Sequence, residues 1–178
     1  MQTITLGGGC FWCIESAFNK VDGVVKAESG YANGTKASPT YEEVCTGSTG
    51  HAEVVQVTFN PETLSLREVL EIFFALHDPT QLNRQGNDVG TQYRSGIYYH
   101  SVEQKQAAEN IIQEMTDEET WPDPIVTEVE EVSNYYSAES YHQGYFENNP
   151  QNQYCAMVVG PKLAKFKKTF ASKLKKSD

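Results

Sequence analysis

Ile4 and Leu6 alternate with Thr3 and Thr5 at the start of the chain, a pattern that predicts a short strand, and Gly7-Gly8-Gly9 breaks it. Beyond the glycines Ile14, Ala17, Phe18 and Val21 fall at helical spacing. The opening therefore reads strand, glycine turn, helix, with Cys10 at the junction. Residues 24–51 read as turn-rich, with Asn33-Gly34 and Ser38-Pro39 as punctuation. Val55, Val57 and Phe59 alternate with polar neighbours as a half-buried strand, ended by Asn60-Pro61. Ser65 and Glu68 form a capping box for a helix that carries Leu66, Val69, Leu70, Phe73 and Leu76, and Asp78-Pro79 stops it.

The polar segment from Asp78 to Arg94 has almost no apolar residues, and an irregular stretch of that length is often functional. Ile97-Tyr98-Tyr99 reads as a strand. Ser101 and Gln104 cap a second helix with Ala107, Ala108, Ile111, Ile112 and Met115. Residues 125–132 are β-rich with loose alternation, and from Pro161 onward Leu163, Phe166, Phe170 and Leu174 fall on one helical face. Strands and helices mix without a strict βαβα rhythm. The expected fold is α+β, a two-layer sandwich of helices packed on a mixed β-sheet with a ferredoxin-like core. At 178 residues the chain is expected to form one domain, 1–178, with a basic amphipathic C-terminal helix at about 161–176.

Charge narrows the functional classes. Fourteen basic residues against 24 acidic ones give −10, which argues against a nucleic-acid binder. Residues 162–178 hold seven lysines and one aspartate, a net +6, while the preceding 161 residues hold seven basic against 23 acidic side chains, −16. The basic tail reads as the solvated face of a helix rather than a patch for an acidic partner. The N-terminus has neither the basic nor the apolar stretch of a signal peptide, and no apolar run is long enough to span a membrane. A soluble, cytoplasmic protein is expected.

The four cysteines, Cys10, Cys13, Cys45 and Cys155, are not expected to form a structural disulfide framework in that compartment. Inert thiols, metal ligands and redox groups remain. A cysteine at a helix N-terminus faces unpaired N–H groups and the positive end of the helix dipole, so its pKa is expected below the ordinary value of about 8.5. That context favours a nucleophile over a buried inert thiol at Cys10. Cys10-x-x-Cys13 reads either as a disulfide-exchange pair or as half a zinc site. Zinc wants a second pair, and Cys45, Cys155 and the histidines (His51, His77, His100, His142) show no paired spacing, so no metal is expected. Phe11 and Trp12, beside the thiol, suit either the core or an apolar pocket for a small group.

Gly9-Cys10-Phe11-Trp12 followed by Glu15 resembles the signature of the peptide methionine sulfoxide reductases of the A type. Further blocks follow in the family's order: Gly30 to Gly34, Pro39-Thr40-Tyr41 through Cys45, Thr49 to Glu53, and His77-Asp78-Pro79. Gln85 to Asp88, Gly90 to Ser95, His142-Gln143 and Asn149-Pro150 before Tyr154-Cys155 complete the match, which spans residues 4 to about 160. The resemblance implies thiol-dependent reduction of the S epimer of methionine sulfoxide, protein-bound or free, in repair of oxidised proteins. It implies that Cys10 attacks the sulfoxide sulfur and becomes a sulfenic acid, and that Phe11 and Trp12 hold the S-methyl group. Glu53 would protonate the sulfoxide oxygen, Tyr41 and Tyr93 would hydrogen-bond to it, and Asp88 would support the site. Many members have Gly where this chain has Cys13. That leaves Cys155, which the motif places, and Cys13, one turn from Cys10, as candidates to resolve the sulfenic acid. Cys45 matches a position without redox activity. No bound cofactor is implied, and thioredoxin, or dithiothreitol in vitro, would be the reductant of what is expected to be a monomer. The rival readings are a thioredoxin-type disulfide exchanger using Cys10 and Cys13, and a small zinc-binding module.

Overall fold

The computed structural model describes residues 1–175. Its centre is a four-stranded antiparallel sheet built from β1 (Gln2–Gly7), β2 (Val24–Ala32), β3 (Ala52–Phe59) and β6 (Gly96–Tyr99), in the order β6-β1-β3-β2. Helix α1 (Phe11–Asn19) links β1 to β2, and α3 (Leu66–Leu76) lies between β3 and β6. This is the ferredoxin-like arrangement expected, widened at its two edges. β7 (Glu128–Glu131) pairs parallel with β6 and makes the sheet mixed; β8 (Tyr136–Ser137) pairs with β2. One continuous core lies between sheet and helices: Ile4, Leu6, Val55 and Val57 from the strands meet Phe18, Leu70 and Phe73 from the helices.

Antiparallel pairing decides where the chemistry collects. β1 ends, β3 begins, β2 ends and β6 begins at the same end of the sheet, as the pairs Gly7↔Gly96 and Ala32↔Ala52 show. The segments that carry Cys10, Tyr41, Glu53 and Tyr93 therefore converge there. A short helix, α2 (Tyr41–Cys45), a two-stranded hairpin of β4 (Arg84–Gln85) and β5 (Asp88–Val89), and a 3-10 turn (Thr91–Tyr93) fill the long segments between. Among the described residues no helix is long and apolar enough to cross a membrane.

Two local expectations are corrected. The stretch from residue 24 reads as turns, yet β2 is a nine-residue strand; a register shift between Val24 and Lys26 breaks its alternation, and the charged Lys26 and Glu28 lie on the face opposite its buried Ala27 and Ser29. The expected C-terminal helix at 161–176 ends at Thr169, as α6 (Gly160–Thr169). A 3-10 turn over Ala171–Lys173 follows, and Leu174 forms an extended bridge to Val21. Backbone bonds from Asp22 N–H to Lys173 (2.8 Å) and from Lys175 N–H to Lys20 (2.7 Å) pull the tail off the helical path. Lys176, the last residue of that expectation, lies outside the described residues. Between α4 (Val102–Asp117) and α6 the chain also forms α5 (Tyr145–Asn148) and a π-helical turn, Cys155–Val159, which the sequence pattern does not reveal.

Candidate active site

Gly9 makes the turn after β1 at φ +86, where a side chain would be strained, and a Cβ there would meet the Gln85 side chain at 2.9 Å. Its N–H donates to the Tyr93 carbonyl (3.2 Å), which ties the glycine turn to the 3-10 turn. The chain then reaches Cys10 in extended conformation (φ −65, ψ 129), and the helix begins at Phe11, so Cys10 is the N-cap, as the sequence predicts. The thiol is half-buried. Its acidity differs from the expectation: burial pushes it well above its ordinary value, the Glu53 carboxylate adds to that, and the Trp12 backbone N–H pulls the other way. One turn of helix N-terminus loses to desolvation beside an acid. A neutral Glu53 removes the second of the causes that hold the thiol protonated, while burial, the largest, remains.

Glu53 meets that condition. It sits at the start of β3, paired with Tyr31 and buried. Burial pushes its carboxyl up to about 8, the Phe11 N–H works against the rise, and Asp88 adds to it. Phe11 N–H donates to Oε1 at 3.3 Å, whereas Oε2 is buried with no partner among the described residues. The carboxyl therefore keeps its proton at neutral pH and has one oxygen uncommitted.

Two phenols share this neighbourhood. Tyr41 opens α2, whose Thr40–Glu43 capping box closes with bonds of 3.2 and 3.0 Å, and its own N–H donates to Glu139 Oε2 (2.9 Å). Tyr93 ends the 3-10 turn anchored to Gly9. Burial and then Glu53 raise both phenols above their ordinary range, so both remain proton donors. Asp88, on β5, accepts the Tyr154 hydroxyl at 2.5 Å, and the Tyr154 phenol lies beside the Cys10 thiol.

The aromatic residues after Cys10 divide. Phe11 is fully buried between Tyr31 (ring centroids 5.7 Å apart) and His142 (5.1 Å). Trp12 is half-buried and held on two sides. Its Nε1–H donates to His142 Nδ1 at 3.0 Å, and its ring stacks on Tyr145 with centroids 3.9 Å apart and 11° between planes. Because Nδ1 of His142 accepts, the proton of its neutral ring resides on Nε2.

The four thiols are free. Cys13 is buried on α1, and burial pushes its thiol up to about 11 although Lys162 and Lys20 act against the rise. Cys155 is buried at the start of the π-helical turn, directly after Tyr154. Cys45 is exposed near Tyr41. Among the described residues no group of three or more His, Cys, Asp or Glu side chains is placed to hold a metal.

The structure thus gathers Cys10, Glu53, Tyr41, Tyr93 and Asp88 at one end of the sheet, with Phe11 and Trp12 beside them. Reading by residue type misses Glu139, Tyr145 and Tyr154, and it gives His142 no task. The signal for them is the density of tyrosines between 135 and 154, close ahead of Cys155.

A sequence profile described as "Peptide methionine sulfoxide reductase" matches residues 2–174. The Peptide methionine sulfoxide reductase MsrA of Trichodesmium erythraeum is 56% identical over 170 residues, 96% of this chain and 96% of that protein. The reduced form of Mxr1 from Saccharomyces cerevisiae superimposes with a TM-score of 0.80 at 43% identity, covering 86% of this chain and 88% of that one. Mxr1 in its complex with Trx2 gives a TM-score of 0.56 at 32% identity, over 81% and 84%.

Proposed function

The chain belongs to the peptide methionine sulfoxide reductase family, and from that premise we propose how its residues divide the work. The enzyme reduces methionine sulfoxide to methionine with thiols as the source of electrons. Its substrate is the S epimer, free or in oxidised proteins.

Trp12 forms the wall of the pocket for the S-methyl group, and Phe11, wholly buried, backs it. Cys10 attacks the sulfoxide sulfur while Glu53 gives its proton from Oε2 to the sulfoxide oxygen, which is a poor leaving group until protonated. Tyr41 and Tyr93 donate hydrogen bonds to the same oxygen. The attack forms a bond between the Cys10 sulfur and the substrate sulfur; the protonated oxygen then passes to the Cys10 sulfur as the substrate's sulfur–oxygen bond and the sulfur–sulfur bond break, so methionine leaves as a thioether and Cys10 becomes a sulfenic acid. Sulfur of the substrate is reduced by two electrons and Cys10 is oxidised by two. Asp88 holds Tyr154 against the thiol.

A second thiol then attacks Cys10, water leaves, and a disulfide forms. Cys155 is the resolving residue we favour, because Tyr154, its immediate neighbour, already lies beside Cys10. Cys13 is the second reading, favoured by its place one turn along α1, where its charge is felt at Cys10. Thioredoxin reduces the disulfide, as the existence of the yeast Mxr1–Trx2 complex suggests for this chain, and dithiothreitol replaces it in vitro. The enzyme works as a cytoplasmic, single-domain monomer with no bound cofactor.

The observation that carries this reading is Glu53: a neutral, buried carboxyl with one free oxygen, beside a thiol and two phenols. A disulfide exchanger built on Cys10 and Cys13 would have no use for it. Thioredoxin-coupled turnover of methionine S-sulfoxide tests the assignment. Wild type and Cys13→Ser are expected to turn over, Cys155→Ser to stop after a single turnover, and Cys10→Ser to be inactive. Sustained turnover by Cys155→Ser together with its loss in Cys13→Ser would transfer the resolving role to Cys13. Activity in Cys10→Ser would refute the mechanism.

A further inference from the structure

Glu15 takes no part in the chemistry above, yet it is 3% exposed, a costly place for a carboxylate. Its hydrogen bonds go to two residues. Gly144 N–H donates to both oxygens, at 3.1 and 2.9 Å, and the Ser29 hydroxyl donates to Oε1 at 3.1 Å. Gly144 is left-handed (φ +65, ψ 26), at the turn between the 3-10 turn Ser140–His142 and α5. Close to it on either side are the residues that hold Trp12: His142, two positions before, accepts the indole N–H, and Tyr145, directly after, stacks on the ring. Gln143 fixes the turn from the other side, accepting from Ser29 N–H (3.0 Å) and donating to the Ser29 carbonyl (2.8 Å).

We infer that Glu15 is a positioning residue for substrate selection: through Gly144 it sets the turn that holds His142 and Tyr145 against Trp12, and so the width of the methyl pocket. The inference rests on the assignment of Trp12 to that pocket. It explains why a buried carboxyl is found where a packed apolar residue would cost less: two acceptor oxygens on a long side chain catch a backbone N–H that the left-handed turn turns towards α1. Reach, not charge, is what the role requires.

Reach and charge separate in two conservative variants. Glu15→Asp keeps the charge and withdraws the oxygens by one methylene. Glu15→Gln keeps the reach and an acceptor carbonyl. The readouts are kcat and KM for methionine S-sulfoxide, the preference for S-methyl over S-ethyl sulfoxide, and Trp12 emission in a Trp121→Phe background, where Trp12 is the only tryptophan. Glu15→Asp is expected to raise KM about tenfold at nearly unchanged kcat, to lose a similar factor of methyl-over-ethyl preference, and to change the emission of the unstacked indole. Glu15→Gln is expected to stay close to wild type on all three. Gln143→Ala, which frees the same turn from the Ser29 side, is expected to follow Glu15→Asp and keeps the test alive should that variant not fold. Any other order overturns the inference: glutamine worse than aspartate would make Glu15 an ionising group, and unchanged emission and KM in the aspartate and Gln143→Ala variants would make it a structural staple alone. Failure of the pocket assignment itself is read separately, as an unchanged KM in Trp12→Ala; the emission arm still reports whether Glu15 positions the indole.

Discussion

Glu53 holds a proton at neutral pH because its environment gives a carboxylate too little in return for its lost hydration. One backbone N–H at 3.3 Å is its only hydrogen bond among the described residues, against burial and the nearby Asp88. That protonation suits the general-acid role proposed for it, and it bears on its neighbour, since Cys10 ionises more easily beside a neutral acid than beside a carboxylate. The rate is tied to that proton: kcat/KM should fall as pH rises through about 8, where Glu53 ionises. Glu53→Gln should lose about a hundredfold or more in kcat/KM, and its residual rate should not show that fall. Stability gives an independent check. Between the ordinary carboxylate range and about 8 the folded protein holds a proton that the unfolded chain releases, so this group's contribution to stability falls as pH rises through that window. Urea titrations should therefore find Glu53→Gln gaining stability over wild type from pH 5 to pH 8. A constant difference would mean that Glu53 is ionised in the fold.

At the scale of elements, local signals and tertiary pull compete. The capping box at Ser65 is visible in the sequence and forms in full, with Ser65 Oγ accepting from Glu68 N–H at 3.1 Å and Glu68 Oε1 accepting from Ser65 N–H at 3.0 Å. Thr40–Glu43 closes the same box on α2, a helix of five residues that begins with Tyr41. Removing either cap should cost about 1 kcal/mol, but the consequences should differ. Ser65→Ala should lower the thermal midpoint and leave KM unchanged, whereas Thr40→Ala should also impair turnover by loosening Tyr41. Steady-state kinetics beside thermal melts of the two variants check this. Signals that act over three or four residues are legible: the strand at Ile4, the N-cap at Cys10 and the stop after Leu76 all lie where the pattern puts them. Strand β2 is not, because its bulge breaks the two-residue period. The tail is not either: Phe170 and Leu174 keep helical spacing, but Leu174 pairs with Val21, a partner far off in sequence. The elevated Cys10 thiol has the same origin, since the helix N-terminus is local, whereas burial and the Glu53 and Asp88 carboxylates that outweigh it depend on residues far off in sequence.

Across the whole molecule, antiparallel order does the gathering. Because β1 and β2 end where β3 and β6 begin, segments as distant in sequence as Cys10, Glu53 and Tyr93 come to one end of the sheet. The segment from Glu139 to Cys155 then closes over them: Glu139 holds Tyr41, His142 and Tyr145 hold Trp12, and Tyr154 bridges Asp88 and Cys10. Motif order offers candidates for nucleophile, acid and phenols and touches the covering segment at His142-Gln143 and Tyr154-Cys155, but it does not reveal what that segment holds, since its contacts exist only once the sheet has formed. Net charge says little about the site, whose substrate is neutral; the cysteines say more, as one proposed nucleophile, two candidates to resolve it and one exposed thiol. If Cys10 takes the oxygen from the sulfoxide, that atom is found on its sulfur. The decisive measurement is a single turnover of the Cys13→Ser/Cys155→Ser double variant on methionine S-sulfoxide carrying heavy oxygen, without reductant, followed by peptide mass spectrometry. One equivalent of methionine and one heavy oxygen on Cys10, as a sulfenic acid, are expected. Methionine formed with no labelled oxygen on Cys10 would contradict that transfer.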